Sequence, residues 1–372
     1  MVRPGRLPGL RLIPARIARV RPDMVMFDSW HGKYADNPRA ISEELRRRDA
    51  PFEHVWVIED GGEEPPYGTV VRPHSLDYLR HCGRARYLVT NGTMPGYFRK
   101  RAATTYVQTW HGTPLKRIGF DIEQPAFRGG AEHFQTLGRE VRDWDFLVSP
   151  NAFSTSVFRR AFRYEGPVLE AGYPRTDRLL ASDRDTVRAR VRAELGIGDD
   201  VRAVLYAPTW RDNDTFSTEL DMAALAEALG DGSVVLLRAH DVVAATVRAS
   251  DHPAVRDVSR HAEPGELLLA ADVLVTDYSS VMFDFAVTGK PMVFFTYDLD
   301  FYRDELRGFY FDLPSEAPGP LVASTAELIE ALSDLDSVSA HFAEAYEQFR
   351  RRFCHLDDGR AAERVVDAVF GA

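Results

Sequence analysis

Cysteine and lysine are both scarce in this 372-residue chain. Cys82 and Cys354 are the only cysteines, far apart and without a Cys-x-x-Cys spacing. That argues against a disulfide-stapled scaffold and a cysteine metal site, and it fits a reducing compartment. No apolar run approaches the ~18 residues that would span a bilayer. The longest candidate, around Leu267 to Val275, is broken by Asp272. The N-terminus lacks an uninterrupted apolar core, so no secretory signal is read there. A net charge of −10 excludes a general nucleic-acid platform, and any anion site must be a local basic cleft. Lysine occurs only as Lys33, Lys100, Lys116 and Lys290, the other basic residues being arginine. Codon bias accounts for this, and so does a need for a compact ammonium near phosphate at a few positions. What is present is an ordinary globular composition, 45% hydrophobic.

Four strands end in groups suited to binding anions or moving protons. In the first, the apolar run Val273-Leu-Val275 reaches Asp277, followed by Ser279 and Ser280 and then a helical pattern with Met282, Phe283 and Phe285. A serine-capped helix start offers backbone N–H groups, hydroxyls and a helix dipole to a phosphate. Gly289-Lys290-Pro291 ends that helix. The second strand, Thr105 to Trp110, delivers His111 to a Gly112-Thr113-Pro114 turn, with Lys116 and Arg117 beyond. A histidine at a strand's carboxyl end is placed for chemistry, because ligands of open α/β sheets sit there. A third strand ends at Ala207-Pro-Thr-Trp-Arg211, and a fourth carries Arg238 and His240 on one face.

These segments, in this order, resemble the CDP-glycerol glycerophosphotransferase family, the teichoic-acid polymerases and primases. The likeness rests on Trp110-His-Gly-Thr-Pro114 with Lys116, Ala207-Pro-Thr-Trp-Arg211, Arg238-Ala-His240, and Thr276-Asp-Tyr-Ser-Ser280 with Gly289-Lys-Pro291. Weaker matches flank them at Phe27 to Lys33, Asp36-Asn-Pro38 and Phe353 to Arg360. One departure is visible: Asp241 follows His240 where the family usually has proline. The resemblance implies a GT-B-like α/β fold, two Rossmann-like domains facing across a cleft. It implies transfer of glycerol phosphate from CDP-glycerol to a hydroxyl of a lipid-linked wall or capsule polymer, releasing CMP. The catalytic set is then His111, His240 and Asp277, with His111 as general base. Substrate binding falls to Arg211, Arg238, Ser279, Ser280, Lys290, Lys116, Thr113 and Asp284. Asp284 has two readings, a contact to the donor's ribose or an exposed helix carboxylate. No cofactor is called for, and no Asp-x-Asp segment is read as a metal motif, although a metal carried by the diphosphate itself stays open. CDP-ribitol as donor and an ordinary nucleotide-sugar GT-B transferase are the alternative activities. A non-catalytic nucleotide-binding module is the third.

Residues 1–22 form a basic arm in which six arginines alternate with apolar residues and four prolines. An arm for an anionic membrane surface and a leader or linker both fit it. Residues 23–177 read as an acceptor-side Rossmann-like domain, and 178–352 as the CDP-donor-binding one. Residues 353–372 close the chain as a helix expected to return across the first domain. The linker is placed at Gly172-Tyr-Pro-Arg-Thr-Asp177. Asn37 is read as a helix cap, with His31 and Asp36 near an acceptor. His355, Asp357 and Asp358 take hinge or cap roles. His74, His81, His133, His252 and His261 read as surface residues. The expected location is the cytoplasm, against the inner face of the plasma membrane.

Overall fold

Apolar strands alternating with amphipathic helices build two all-parallel sheets in the computed structural model, which describes residues 19–123, 130–209, 219–239, 252–261, 263–306 and 308–371. The first sheet contains β1 (Arg21–Asp28), β2 (Glu53–Val57), β3 (Thr69–Val71), β4 (Ala85–Thr90), β5 (Thr105–Gln108), β6 (Phe146–Ser149) and β7 (Val168–Glu170). Their order is β3-β2-β1-β4-β5-β6-β7. The second contains β8 (Arg202–Ala207), β9 (Ser233–Leu237), β10 (Val255–Asp257), β11 (Val273–Thr276), β12 (Met292–Phe295) and β13 (Leu321–Val322). Their order, β10-β9-β8-β11-β12-β13, repeats the first sheet's pattern. In both halves the order reverses beside the first strand, between β1 and β4 and between β8 and β11. Such a switch point leaves a crevice at the strands' carboxyl ends. Two Rossmann-type halves of this kind make the GT-B arrangement. Sequence reading missed β3 and β13, edge strands of three and two residues, too short to show a period.

Both faces of each sheet are covered, so the inner strands are mostly apolar. Met24, Met26, Tyr106, Phe158 and Phe162 fill one side of the first sheet. Val25, Phe27, Ile41 and Trp56 fill the other, together with Val365 and Val366 from the last helix, Ala361–Phe370. The chain therefore returns from the second half to complete the first half's core. The return is pinned by Asp177, whose carboxylate accepts from Ala361 N at 2.9 Å and Ala362 N at 2.8 Å. Gly172 lets the crossing chain pass: its φ is +80°, and a Cβ there would lie 2.9 Å from the Leu356 carbonyl oxygen. Asn151 caps the Ala152–Phe162 helix and also donates to Phe353 O at 2.7 Å.

A second strap runs the other way. Leu115, from the segment that follows His111, is buried in the second half's core. Its carbonyl accepts from Tyr310 N at 2.8 Å, and Arg117 N donates to Gly308 O at 3.0 Å. The Tyr310 hydroxyl accepts from Ile118 N and donates to Asp121 Oδ2. The turn that carries His111 is thus clamped directly onto the opposite half. Among the described residues no helix is long and apolar enough to cross a membrane.

Because the last helix depends on Asp177 for its first-turn N–H groups, Asp177→Ala is expected to lower first-half stability by about 1 kcal/mol. A urea unfolding midpoint unchanged from wild type would show that the docked helix does not depend on this cap.

Candidate active site

His111 sits where β5 ends, in a turn whose geometry its neighbours impose. Gln108 Oε1 accepts from Trp110 N at 2.8 Å, and Trp110 takes a left-handed φ of +52°. The His111 Nδ1–H donates to the Asn91 carbonyl at 2.7 Å. That bond fixes the tautomer and leaves the lone pair on Nε2. The imidazole is stacked on Trp110, centroids 4.2 Å apart, and meets Trp30 at 4.7 Å. Burial pulls its pKa below the ordinary histidine value. The Asn91 carbonyl and Asp36 oppose that shift, while Arg175 and His31 add to it. The result is a base that stays neutral to lower pH than a free histidine.

Gly112 packs closely against the opposite half. A Cβ there would lie 2.7 Å from Ser280 Oγ and 2.9 Å from Ser280 Cβ. Only glycine lets the histidine turn close onto the serine turn. On the far side, Asp277 is buried, and its Oδ1 accepts from Thr209 N at 2.8 Å and Tyr278 N at 2.6 Å. It ties the ends of β8 and β11 together. The helix that follows, Val281–Ala286, starts at Ser280, which makes no side-chain capping bond. This corrects the sequence expectation of a serine cap. Ser279 Oγ accepts from Val281 N only at 3.4 Å. Both hydroxyls therefore lie at the helix start, with Ser280 facing Gly112.

Arg175 joins the two sides, and sequence reading missed it inside the linker. Its Nη1 donates to the His111 carbonyl at 2.8 Å and pairs with Asp36 at 3.1 Å. Its Nη2 pairs with Asp284 at 2.9 Å. Burial works against the guanidinium, but Asp284 and Asp36 outweigh it and hold the group above the ordinary arginine value. Burial also pushes Asp284 up, with Arg175 pulling it back. Asn37 completes the junction, donating to Trp110 O at 3.1 Å and accepting from Arg175 N at 3.1 Å. Asn37 is therefore not the helix cap expected of it; Ala35 holds that place. A second pair, Arg39 with Glu263 at 3.4 Å, crosses between the halves nearby.

Several expected ligand residues have structural partners instead. Lys290 is a correction. Its ammonium donates to the Leu269 carbonyl at 2.8 Å and the Ala271 carbonyl at 2.6 Å, capping the Pro264–Ala270 helix. It precedes β12, at the amino end of the sheet, a strand length from the cleft. Arg238 donates to the His261 carbonyl at 3.1 Å, so it braces the turn after β10. Asp284 is half-buried and paired with Arg175, which overturns its reading as an exposed helix carboxylate. Thr113 is buried, and Lys116 Nζ lies 5.9 Å from the Tyr302 ring centre. His261 is half-buried, 3.5 Å from Glu266, rather than a bare surface residue. His31 packs against Gly92 and is pulled below the ordinary histidine value by burial, with His74 adding to this. Arg211 and His240 lie outside the described residues, as does the side chain of His133. Among the described residues no three His, Cys, Asp or Glu groups gather as a metal site.

Four non-glycine residues with left-handed backbone crowd this one junction: Trp30 at φ +50°, His31 at +59°, Asp36 at +62° and Trp110 at +52°. Each costs on the order of 1–3 kcal/mol, and such strain gathers where function over-determines the backbone.

What these halves and their junction define is a protein of GT-B fold, two Rossmann-type halves meeting at an interdomain junction. The chain belongs to the CDP-glycerol:poly(glycerophosphate) glycerophosphotransferase family, whose model matches residues 13–371. It is 40% identical over 367 residues to the teichoic acid glycerol-phosphate transferase of Staphylococcus aureus, covering 94% of this chain and 93% of that one. It is 39% identical over 370 residues to the teichoic acid poly(glycerol phosphate) polymerase of Bacillus subtilis, covering 95% of this chain but 49% of that one. The chain thus spans about half the length of some relatives and nearly all of others. Among solved structures, the wall teichoic acid polymerase TagF superposes with a TM-score of 0.90 at 34% identity, covering 97% of this chain and 92% of that one. A further TagF structure is of a histidine-to-asparagine variant soaked with CDPG.

The environment of His111 sets a sign. Followed by NMR, the wild-type imidazole is expected to titrate below ~6.5, the ordinary value. Arg175→Gln removes a cation that disfavours the imidazolium, so the midpoint rises; Arg175→Lys keeps the charge and stays nearer wild type. A wild-type midpoint at or above the ordinary value would contradict this account of the site.

Proposed function

We propose that the protein transfers glycerol phosphate from CDP-glycerol to a hydroxyl of a wall or capsule polymer acceptor. His111 Nε2 takes the proton of the acceptor hydroxyl as its oxygen attacks the glycerol-side phosphorus. The bond from that phosphorus to the bridging oxygen breaks, and CMP leaves. Phosphoryl transfer asks mainly for positioning and for charge stabilisation. Ser279, Ser280 and the backbone N–H groups beside them are suited to the diphosphate oxygens. Arg211 and His240, in the segments after β8 and β9, are proposed to add positive charge to the same oxygens. Asp277 acts by fixing the serine turn. The observation that carries this reading is the contact of Gly112 with Ser280, which sets the base and the hydroxyl-bearing turn face to face.

The likeness to glycerol-phosphate transferases favours CDP-glycerol over CDP-ribitol: ribitol-phosphate relatives reach 35% identity at most among those compared, against 40%. The acceptor is proposed to be lipid-linked, with the protein held at the cytoplasmic face of the membrane by its basic arm, most of which lies outside the described residues.

Two measurements test these points. His111→Asn is expected to lower CMP release from CDP-glycerol by ~10²–10⁴, while CDP-glycerol binding by calorimetry stays within a few-fold. Turnover near wild type in that variant removes His111 from the mechanism. Separately, co-sedimentation with anionic vesicles is expected at low salt and lost at high salt, and to vanish when residues 1–18 are deleted. Equal sedimentation of full-length and truncated protein would show that the arm does not supply the attraction.

A further inference from the structure

Trp30 is one of three large apolar side chains exposed among the described residues, at 40%. Unlike a stray surface residue, it is held at several points. Its backbone N donates to Asn91 Oδ1 at 2.9 Å, and its indole Nε1–H donates to Asp36 Oδ2 at 2.9 Å. The turn beneath it closes through Gly32 N and Lys33 N, both donating to Ser29 O. Trp30 and His31 are consecutive left-handed residues, at φ +50° and +59°. Glycine or asparagine would suit that backbone better. An indole kept in a strained turn, anchored by hydrogen bonds and yet left exposed, gains little from burial. Its placement explains it better than its packing.

That placement is set by Asn91, itself fully buried. The Asn91 side-chain oxygen holds Trp30, its backbone oxygen holds His111 Nδ1, and its Nδ2 donates to Ser29 Oγ at 3.2 Å. One residue therefore aligns the base and the indole, whose rings are 4.7 Å apart. The hydroxyl-bearing serine turn lies across the cleft, against Gly112. A ligand on Trp30 approaches from the first half, beside the base rather than over the serines.

We propose that Trp30 is the acceptor platform: its exposed face receives the C–H face of the polyhydroxylated unit whose hydroxyl His111 deprotonates. This rests on the transfer reading given above. An indole offers a flat apolar body with its polar N–H already spent on Asp36, so it takes neutral C–H surface rather than phosphate. A polyol terminus and a sugar ring both present such a face, and two acceptor arms tell them apart.

The experiment measures CMP release from CDP-glycerol with a soluble glycerol phosphate oligomer and, separately, with an alkyl disaccharide. In Trp30→Ala the KM for the acceptor is expected to rise about tenfold, equivalent to about 1.4 kcal/mol, with CDP-glycerol affinity unchanged. Trp30→Phe restores most of that loss because it keeps a flat ring. Trp30→Leu keeps apolar bulk without the ring and is expected to behave as alanine does. An effect confined to the disaccharide identifies a sugar on the platform, and one confined to the oligomer identifies a polyol. Unchanged acceptor KM in both arms for a folded Trp30→Leu overturns the proposal, as does a loss that falls on donor affinity instead. Absence of CMP release by the wild-type protein with either acceptor overturns the transfer reading, and the platform with it.

Discussion

The arrangement depends on one largely shielded guanidinium. Arg175 is placed by the linker between Asp36 of the first half and Asp284 of the second, and it also holds the His111 carbonyl. Removing water from three charged groups is costly, and truncating one partner of such a set costs roughly 3–5 kcal/mol. The set is therefore a poor source of net stability but a strong source of specificity. The halves have one relative placement in which the two carboxylates and one carbonyl are all satisfied. That placement brings Gly112 against Ser280. The contact between the halves and the backbone position of His111 share the same side chain.

The fold was legible because its signals are long and repeated. Buried parallel strands such as β1 and β8, each followed by a helical pattern, mark doubly wound sheets with only short-range information. The placement of His111, Ser279 and Ser280 was also legible, because each lies where a strand runs into a turn or helix. Edge strands β3 and β13 carried too few residues to signal themselves. Arg175 was invisible for a different reason. Its partners lie 139 and 109 residues away, and nothing near it in sequence distinguishes it from other linker arginines. Lys290 misled in the opposite direction. Its position in a Gly-Lys-Pro punctuation suggested a phosphate ligand, whereas the helix it caps ends twenty residues earlier.

Asn37 and Asp277 show how a plausible local role gives way to a tertiary one. Asn37 precedes a proline at the start of a helix, where a cap is the economical expectation. Its amide instead joins the histidine turn to the linker. Asp277 has the chemistry of a catalytic carboxylate, but one of its oxygens is bound to two backbone N–H groups. Both residues act by holding turns that carry other groups.

The same economy explains why strain collects at the mouth of the first sheet. Trp30, His31, Asp36 and Trp110 all adopt backbone that their side chains disfavour. Three of the four are held there by a partner: Asn91, just past β4, for Trp30, Gln108 at the end of β5 for Trp110, and Arg175 of the linker for Asp36. A rigid, over-determined rim costs folding energy, but it spares the protein the larger entropic cost of ordering a loose loop each time a ligand binds. The proposed transfer, with donor and acceptor on opposite halves, needs that kind of rim. An attacking hydroxyl misplaced by about 1 Å loses much of the rate that positioning supplies. The first half is accordingly held firmly around His111, and its alignment with the opposite half rests on Gly112 and Arg175, neither of which needs to touch the reacting atoms of the proposed transfer.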